Sequence, residues 1–322
     1  MDPIFEAYLT AQRRRRSSPL TIKATAHALR TMQRWLDERA LAAADLSLFR
    51  CEEYFDELLE RGAVSTAHRH LAYVRAAFSY GVRHELVARD PTGDVRLPRL
   101  PDIEPATYSN AELQAIHAAI RSEREEVAFF LFAFAGLRLG EAAVLRWASV
   151  DFERHQIRLT GKGGKFRRVP LHPALDELLQ EQKRQARPPD GYVLETIDRE
   201  PLAARTLGRT VRELVDRASV EIDQPSHAFR RTVATVMYER GVRTRVIERI
   251  MGWAPRRMHE RHYLRVADEA MHEAILGLYR DNPICDRQEC ALQLNTRPAS
   301  SAWLAAETAQ LEQLEAELQH AD

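Results

Sequence analysis

Ala135-Gly136-Leu137-Arg138-Leu139-Gly140-Glu141 is the stretch on which the reading of this chain turns. It closes an almost wholly apolar run, Val127 to Ala135. A run of that length without alternation predicts a helix buried on all sides, stopping at Gly136. Leu137 to Trp147 then predicts a second helix carrying Arg138, Glu141 and Arg146. A lone arginine in a chain with 43 of them is by default a surface charge, but the apolar setting of Arg138 lowers that reading. Far downstream, His227-Ala228-Phe229-Arg230 sets an imidazole and a second guanidinium on one helical face at i, i+3. Met251-Gly252-Trp253 and then Tyr263, within His259-Glu260-Arg261-His262-Tyr263-Leu264, follow.

Working outward from these, the chain divides in two. Residues 2–12 predict a short helix with Phe5, Tyr8 and Leu9 on one face, running into Arg13-Arg14-Arg15-Arg16. Ser17-Ser18-Pro19 is a helix-start signal, and Leu29, Met32, Trp35 and Leu36 repeat at helical spacing towards Arg39. A third helix opens at Asp45 or Ser47, carries Phe49, Tyr54, Phe55, Leu58 and Leu59, and ends at Gly62. A fourth, capped by Ser65, turns Leu71, Val74, Phe78 and Val82 inward and leaves Arg69, His70, Arg75 and Arg83 on its polar side. Asp90-Pro91-Thr92-Gly93 stops it, and Leu97-Pro98-Arg99-Leu100-Pro101 continues as an extended, proline-punctuated segment. The expected division is a helical domain over 1–95, a linker over 96–108, a second domain over 109–285 and an extension over 286–322. Ser109 and Glu112, three apart, predict a capping box at the start of the second domain. Gln156–Thr160 alternates like a strand, Gly161-Lys162-Gly163-Gly164-Lys165 reads as a tight turn, and Phe166–Leu171 returns. Helices are expected over about 172–185, 201–219, 227–240, 244–251 and 267–279. The fold class is mainly α with one small antiparallel sheet.

Composition narrows the function. The net charge is zero, with 47 basic and 47 acidic residues. Residues 286–322 hold seven acids and two arginines, so the rest carries 45 basic against 40 acidic residues. No apolar run of membrane-spanning length occurs, and the amino terminus lacks the shape of a signal peptide. Cys51, Cys285 and Cys290 are expected as free thiols in a reducing cytoplasm, without a zinc-type ligand quartet.

Two arginines, a histidine and a tyrosine in helical contexts suggest a site that grips one phosphate and attacks it with a phenol. Cleavage of a phosphodiester needs charge neutralisation, a nucleophile and a proton for the leaving oxygen. Arg138 and Arg230 suit the first, because a planar fork donates two parallel hydrogen bonds and stays charged. Glu141 braces Arg138. Lys162 or Lys165, on the hairpin turn, offers the proton; residue type alone does not separate them. His227 can orient or take a proton, or merely stand at a helix start after Pro225-Ser226. Trp253 offers an indole N–H that donates and never accepts, or simply packs. Tyr263, a phenol near pKa 10, needs surrounding cations to become a nucleophile.

Gly136-Leu137-Arg138-Leu139-Gly140-Glu141, Thr160-Gly161-Lys162-Gly163-Gly164-Lys165, His227-Ala228-Phe229-Arg230, Met251-Gly252-Trp253 and Tyr263 resemble, in order, the successive boxes of the tyrosine recombinase (phage integrase) family. The likeness covers roughly residues 5–280. It implies an N-terminal four-helix SAM-like core-binding domain and a mostly helical catalytic domain that together encircle DNA. It implies Arg138, Lys162, His227, Arg230 and Trp253 as the phosphate-activating set, Tyr263 as nucleophile, and Lys162 over Lys165. Where Trp253 stands the family more often has histidine, so a proton-transfer role at that position is not implied. The expected activity is site-specific recombination through a 3′-phosphotyrosyl intermediate, without cofactor, metal or ATP, for integration or resolution of a mobile element or replicon. The expected partners are double-stranded DNA with an inverted-repeat core site, a homotetramer on two such sites and an accessory DNA-binding protein; no membrane is involved. Leu304, Leu311, Leu314 and Leu318 form an apolar stripe among glutamates, expected as a helix that contacts a neighbouring protomer. The competing expectations are a catalytically silent architectural DNA-binding protein of the same fold, a type IB topoisomerase-like enzyme that relaxes supercoils, and a helical protein with no DNA role.

Overall fold

A computed structural model of the protein describes residues 1–102, 104–160, 166–184, 188, 190–253 and 268–287. The chain divides into two compact units, Met1–Ile103 and Glu104–Asp322.

The first unit is built from α1 (Pro3–Arg14), α2 (Pro19–Asp37), α3 (Leu48–Arg61) and α4 (Val64–Arg83), with a short 3-10 turn at Ala43–Asp45. Asp2 fixes its start: one carboxylate oxygen accepts from Ile4 N at 3.0 Å, capping α1, and the other from Ala43 N at 3.0 Å. Ser18 and Ser47 cap α2 and α3 by accepting from Thr21 N and Arg50 N. Phe5, Leu29, Met32, Trp35, Leu36, Phe55, Val74 and Phe78 form its core, with Phe5 edge-on to Phe78 at 5.9 Å. Burying each of these large side chains contributes roughly 1.5–3 kcal/mol. Three expectations fail here. Ser65 does not cap α4, which starts one residue earlier at Val64, after Ala63, without a side-chain cap. Val82, expected inward, is 38% exposed, because α4 turns Leu71, Val74 and Phe78 inward instead. His70 and Arg75 are not a solvated basic edge: His70 is buried against the Tyr54 hydroxyl, and Arg75 donates to the Thr92 carbonyl at 2.7 Å.

In the second unit, α5 (Asn110–Ala118) begins with the expected capping box of Ser109 and Glu112. Helix α6 (Glu123–Ala133) is buried continuously from Val127 to Ala133 and packs against α8 (Pro173–Arg184), α9 (Ala204–Arg217) and α10 (Pro225–Glu239). The sheet has three antiparallel strands in the order β1 (Val150–Asp151), β2 (Gln156–Thr160), β3 (Phe166–Pro170); β1 was not expected. Leu159 lies opposite Arg167 and Ile157 opposite Val169, which puts those four on the buried face. Among the described residues, α11 (Thr244–Met251) and α12 (Asp268–Leu276) follow.

The helix expected over Leu137–Trp147 is only α7, Leu139–Ala143. Arg138 stands at its N-cap and Arg146 lies beyond it. A tertiary pairing overrides the local pattern: Val193 N donates to Leu145 O at 2.8 Å and Trp147 N to Gly191 O at 3.0 Å, pulling the chain out of the helix after Ala143. Lys162, Lys165, Tyr263, Cys290 and the leucine stripe at 304–318 lie outside the described residues.

Candidate phosphate-binding site

The site forms around the carboxyl end of α11. Gly252 takes the left-handed conformation, φ +61°, so that Gly252 N returns to Arg249 O and Trp253 N to Glu248 O. That closure leaves three successive carbonyls, Ile250, Met251 and Gly252, free to accept from elsewhere. Three arginines from three different elements take them. Arg167 Nε, from β3, donates to Ile250 O at 3.1 Å. Arg230 Nη2, from α10, donates to Met251 O. Arg138 Nη2, from the start of α7, donates to Gly252 O at 3.3 Å. Cations at a helix carboxyl end also complement its partial negative charge.

A second turn supports the same cluster. Gly136, φ +56°, closes α6 through Gly136 N to Phe132 O and Leu137 N to Leu131 O. Its own carbonyl accepts from Arg230 Nη1. Arg230, 5% exposed, thus ties the end of α6 to the end of α11. Glu141 sits between the other two guanidinia. Its Oε1 accepts from Arg138 Nη1 at 2.9 Å and Arg167 Nη1 at 2.6 Å; its Oε2 accepts from Arg138 N at 2.8 Å and Arg167 Nη2 at 2.8 Å. Burial alone would raise the Glu141 pKa, but Arg167 and then Arg138 outweigh it and hold the group down at about 2.

Three guanidinia face one carboxylate. Burial first, then the facing charges of Arg138 and Arg167, push the Arg230 pKa down to about 9. It remains cationic at neutral pH, but in surroundings short of negative charge. His227 lies on the first turn of α10, after Pro225 at its first position, and is exposed. Partial desolvation and the cations Arg231, Arg230 and Arg138 lower its pKa, favouring neutral imidazole at pH 7. Trp253 is 44% exposed, with its ring 5.9 Å from the Arg230 guanidinium carbon. The open rim therefore consists of Arg138, His227 and Trp253 over a buried base of Arg230, Arg167 and Glu141.

The structure thus brings together Arg138, Glu141, His227, Arg230 and Trp253 from the sequence-derived set. Arg167 was missed. Its signal was present: strand alternation puts it on the face of Val169, and an arginine on the apolar face of a strand needs a buried partner.

Residues 107–270, half of the chain, match the model of the phage integrase family, and residues 4–85 match the phage integrase N-terminal SAM-like domain. The chain belongs to the phage integrase family. This is the family of tyrosine-type, site-specific DNA recombinases, and curated relatives carry that name. The chain is 26% identical over 245 residues to the tyrosine recombinase XerC-like protein of Caldanaerobacter subterraneus subsp. tengcongensis, covering 62% of each. It is 27% identical over 245 residues to tyrosine recombinase XerD of Pseudomonas aeruginosa, covering 72% of this chain and 82% of the relative. Its fold is similar to that of a lambda integrase tetramer bound to a Holliday junction, with a TM-score of 0.67 at 15% identity, over 82% of this chain and 78% of that one.

Proposed function

We propose that this phage integrase family member is a site-specific DNA recombinase that breaks and rejoins strands through a 3′-phosphotyrosyl intermediate. The observation that carries the reading is the convergence of Arg138 and Arg230, from α7 and α10, on consecutive carbonyls at the end of α11, beside an open rim of His227 and Trp253. A dianionic transition state at phosphorus supplies the negative charge this cluster lacks. Arg138 and Arg230 hold its non-bridging oxygens, and the Trp253 indole N–H adds a donor. Neutral His227 takes or orients the phenol proton.

The Tyr263 oxygen attacks phosphorus and the 5′-oxygen leaves with a proton from Lys162. The new phosphotyrosyl bond keeps the energy of the broken one, so a 5′-hydroxyl from a second strand rejoins without ATP. The segment carrying Tyr263 leaves the described residues at Trp253 and re-enters at Asp268, and both ends meet β3. Gly252 abuts Arg167, and Asp268 accepts from Arg168 Nη1 at 3.0 Å. That anchoring supports Tyr263 as the nucleophile of this same site.

The remaining parts of the reading are an inverted-repeat core site, a homotetramer joining two such sites, an accessory DNA-binding protein, and a cytoplasmic, nucleoid-associated role in integrating or resolving a mobile element or replicon. The acidic extension over 286–322 is proposed as the segment that contacts the neighbouring protomer. No helix among the described residues is long and apolar enough to cross a membrane.

The test uses a nicked duplex bearing the repeats that flank the gene, so that the cleaved end diffuses away. The wild type is expected to give a covalent protein–DNA band on a denaturing gel, and Tyr263→Phe to give none. Binding without any band would favour the alternative, an architectural protein of the same fold.

A further inference from the structure

Arg167 lies deepest in the cluster and has no evident business with a substrate. It is buried, and three of its N–H groups are committed: two to the oxygens of Glu141 in a fork, the third to Ile250 O. Through those bonds it joins two pieces of the rim that are far apart in sequence. On one side is Glu141, whose remaining capacity orients Arg138 through both its backbone N–H and its guanidinium. On the other is the end of α11, where Gly252 packs so closely that an added Cβ would stand 2.7 Å from Arg167 Cδ. The residue after that glycine is Trp253.

We propose that Arg167 is the positioning residue of this site. It holds the Arg138 side and the Trp253 side in one register, so that both donors meet the phosphate at fixed spacing. The inference rests on the phosphate-transfer reading given above. Its chemistry is specific to a guanidinium. A lysine there keeps the charge but donates from one point, so it cannot span both Glu141 oxygens and the Ile250 carbonyl together. Loosening such a support shifts reacting groups by a fraction of an ångström to an ångström, which costs rate while leaving ground-state contacts largely intact.

The experiment measures two quantities on the nicked duplex for the wild type, Arg167→Lys, Glu141→Gln and the double variant Glu141→Gln/Arg167→Met: DNA affinity by gel shift, and the rate of covalent adduct formation at saturating protein. Arg167→Lys is expected to cleave about 30-fold more slowly, with DNA affinity within about threefold of the wild type. The double variant, which removes both buried charges together and leaves neither orphaned, is expected to fold and to be no slower than the slower single variant, because both act through one contact. Should Arg167→Lys fail to fold, the double variant is read in its place, and a rate near that of the wild type overturns the proposal. An Arg167→Lys rate near that of the wild type overturns it too, as does a fall in rate matched by an equal fall in affinity. A wild type that binds the duplex but forms no adduct overturns the recombinase reading and this proposal with it; a cleaving wild type with an indifferent Arg167→Lys overturns only the latter.

Discussion

Arg230 shows what the site asks of a single residue. It is buried, each Nη gives one of its two N–H groups to a backbone carbonyl and keeps the other for an anion, and its nearest charged neighbours include two more guanidinia. Burial first, and then that crowding, lowers its pKa to about 9, and an incoming anion relieves the crowding. Two glycines show how finely the frame is cut. Gly252 combines φ +61° with the close approach of Arg167, so Gly252→Ala must both strain its backbone and displace a buried guanidinium. It is expected to lower stability by about 1–3 kcal/mol. Gly140, inside α7, has nothing within 4 Å of an added Cβ, so Gly140→Ala is expected to be neutral or to stabilise by up to about 1 kcal/mol. Thermal melting of the two variants side by side checks the pair; equal melting temperatures would refute the argument. Arg138 and Arg230 were legible in the sequence because each sits in an apolar motif where a charge must be explained. Alternation along β3 separates Arg167, on the face of Val169, from Arg168, but the carboxylate that receives Arg167 is Glu141, 26 residues away, and no local pattern names it.

At the scale of elements, local signals held wherever a side chain satisfied a helix end by itself. Asp2, Ser18, Ser47, Ser109 and Ser122 all cap as such residues do. They failed where a distant loop segment competed through an isolated bridge, Arg146 with Tyr192. Nothing in Leu137–Trp147 announces that residues 191–193 will take its carbonyl and amide groups after Ala143. The junction between β3 and α8 yields a pH prediction. His172 is fully buried at the head of α8, its ring tilted by 35° against Phe134 with 4.6 Å between centroids, and its Nδ1 accepts from Ala174 N. Desolvation lowers its pKa from 6.5 to about 3. A folded pKa below the unfolded one means that the unfolded chain binds the proton more readily. The stability contributed by neutral His172 is therefore full above about pH 6.5 and is lost as pH falls towards 3. Urea midpoints measured across that window should fall less steeply in His172→Asn than in the wild type. Parallel curves would mean that the imidazole does not charge on unfolding.

For the whole molecule, the decisive feature is that the two units carry separate cores. One is centred on Phe5, Trp35, Phe55 and Phe78, the other on Phe129 to Phe134, Trp147 and Phe229. The chain divides between Ile103 and Glu104, just after the proline-punctuated stretch Leu97–Pro101, and the zero net charge conceals a basic surplus, because the acidic segment after residue 285 offsets it. About 100 residues suffice for a core that folds alone. Residues 1–103 and 104–322, expressed apart, are each expected to melt cooperatively by circular dichroism, with Trp35 reporting on the first fragment. Arg13, Arg14, Arg15 and Arg16 are all exposed in the first unit. If they neutralise phosphates, removing that unit takes counterion release with it, about 0.9 of a unit of log–log salt slope for each phosphate left without its arginine. The fragment 104–322 should then bind duplex DNA more weakly and with a salt dependence shallower by about two to four units. It should still form the covalent adduct at high protein concentration, since Arg138, Arg230, Trp253 and Tyr263 all lie within it. A fragment with the full chain's salt slope would place the phosphate-binding cations entirely in the second unit and leave the arginine run as a solvated surface.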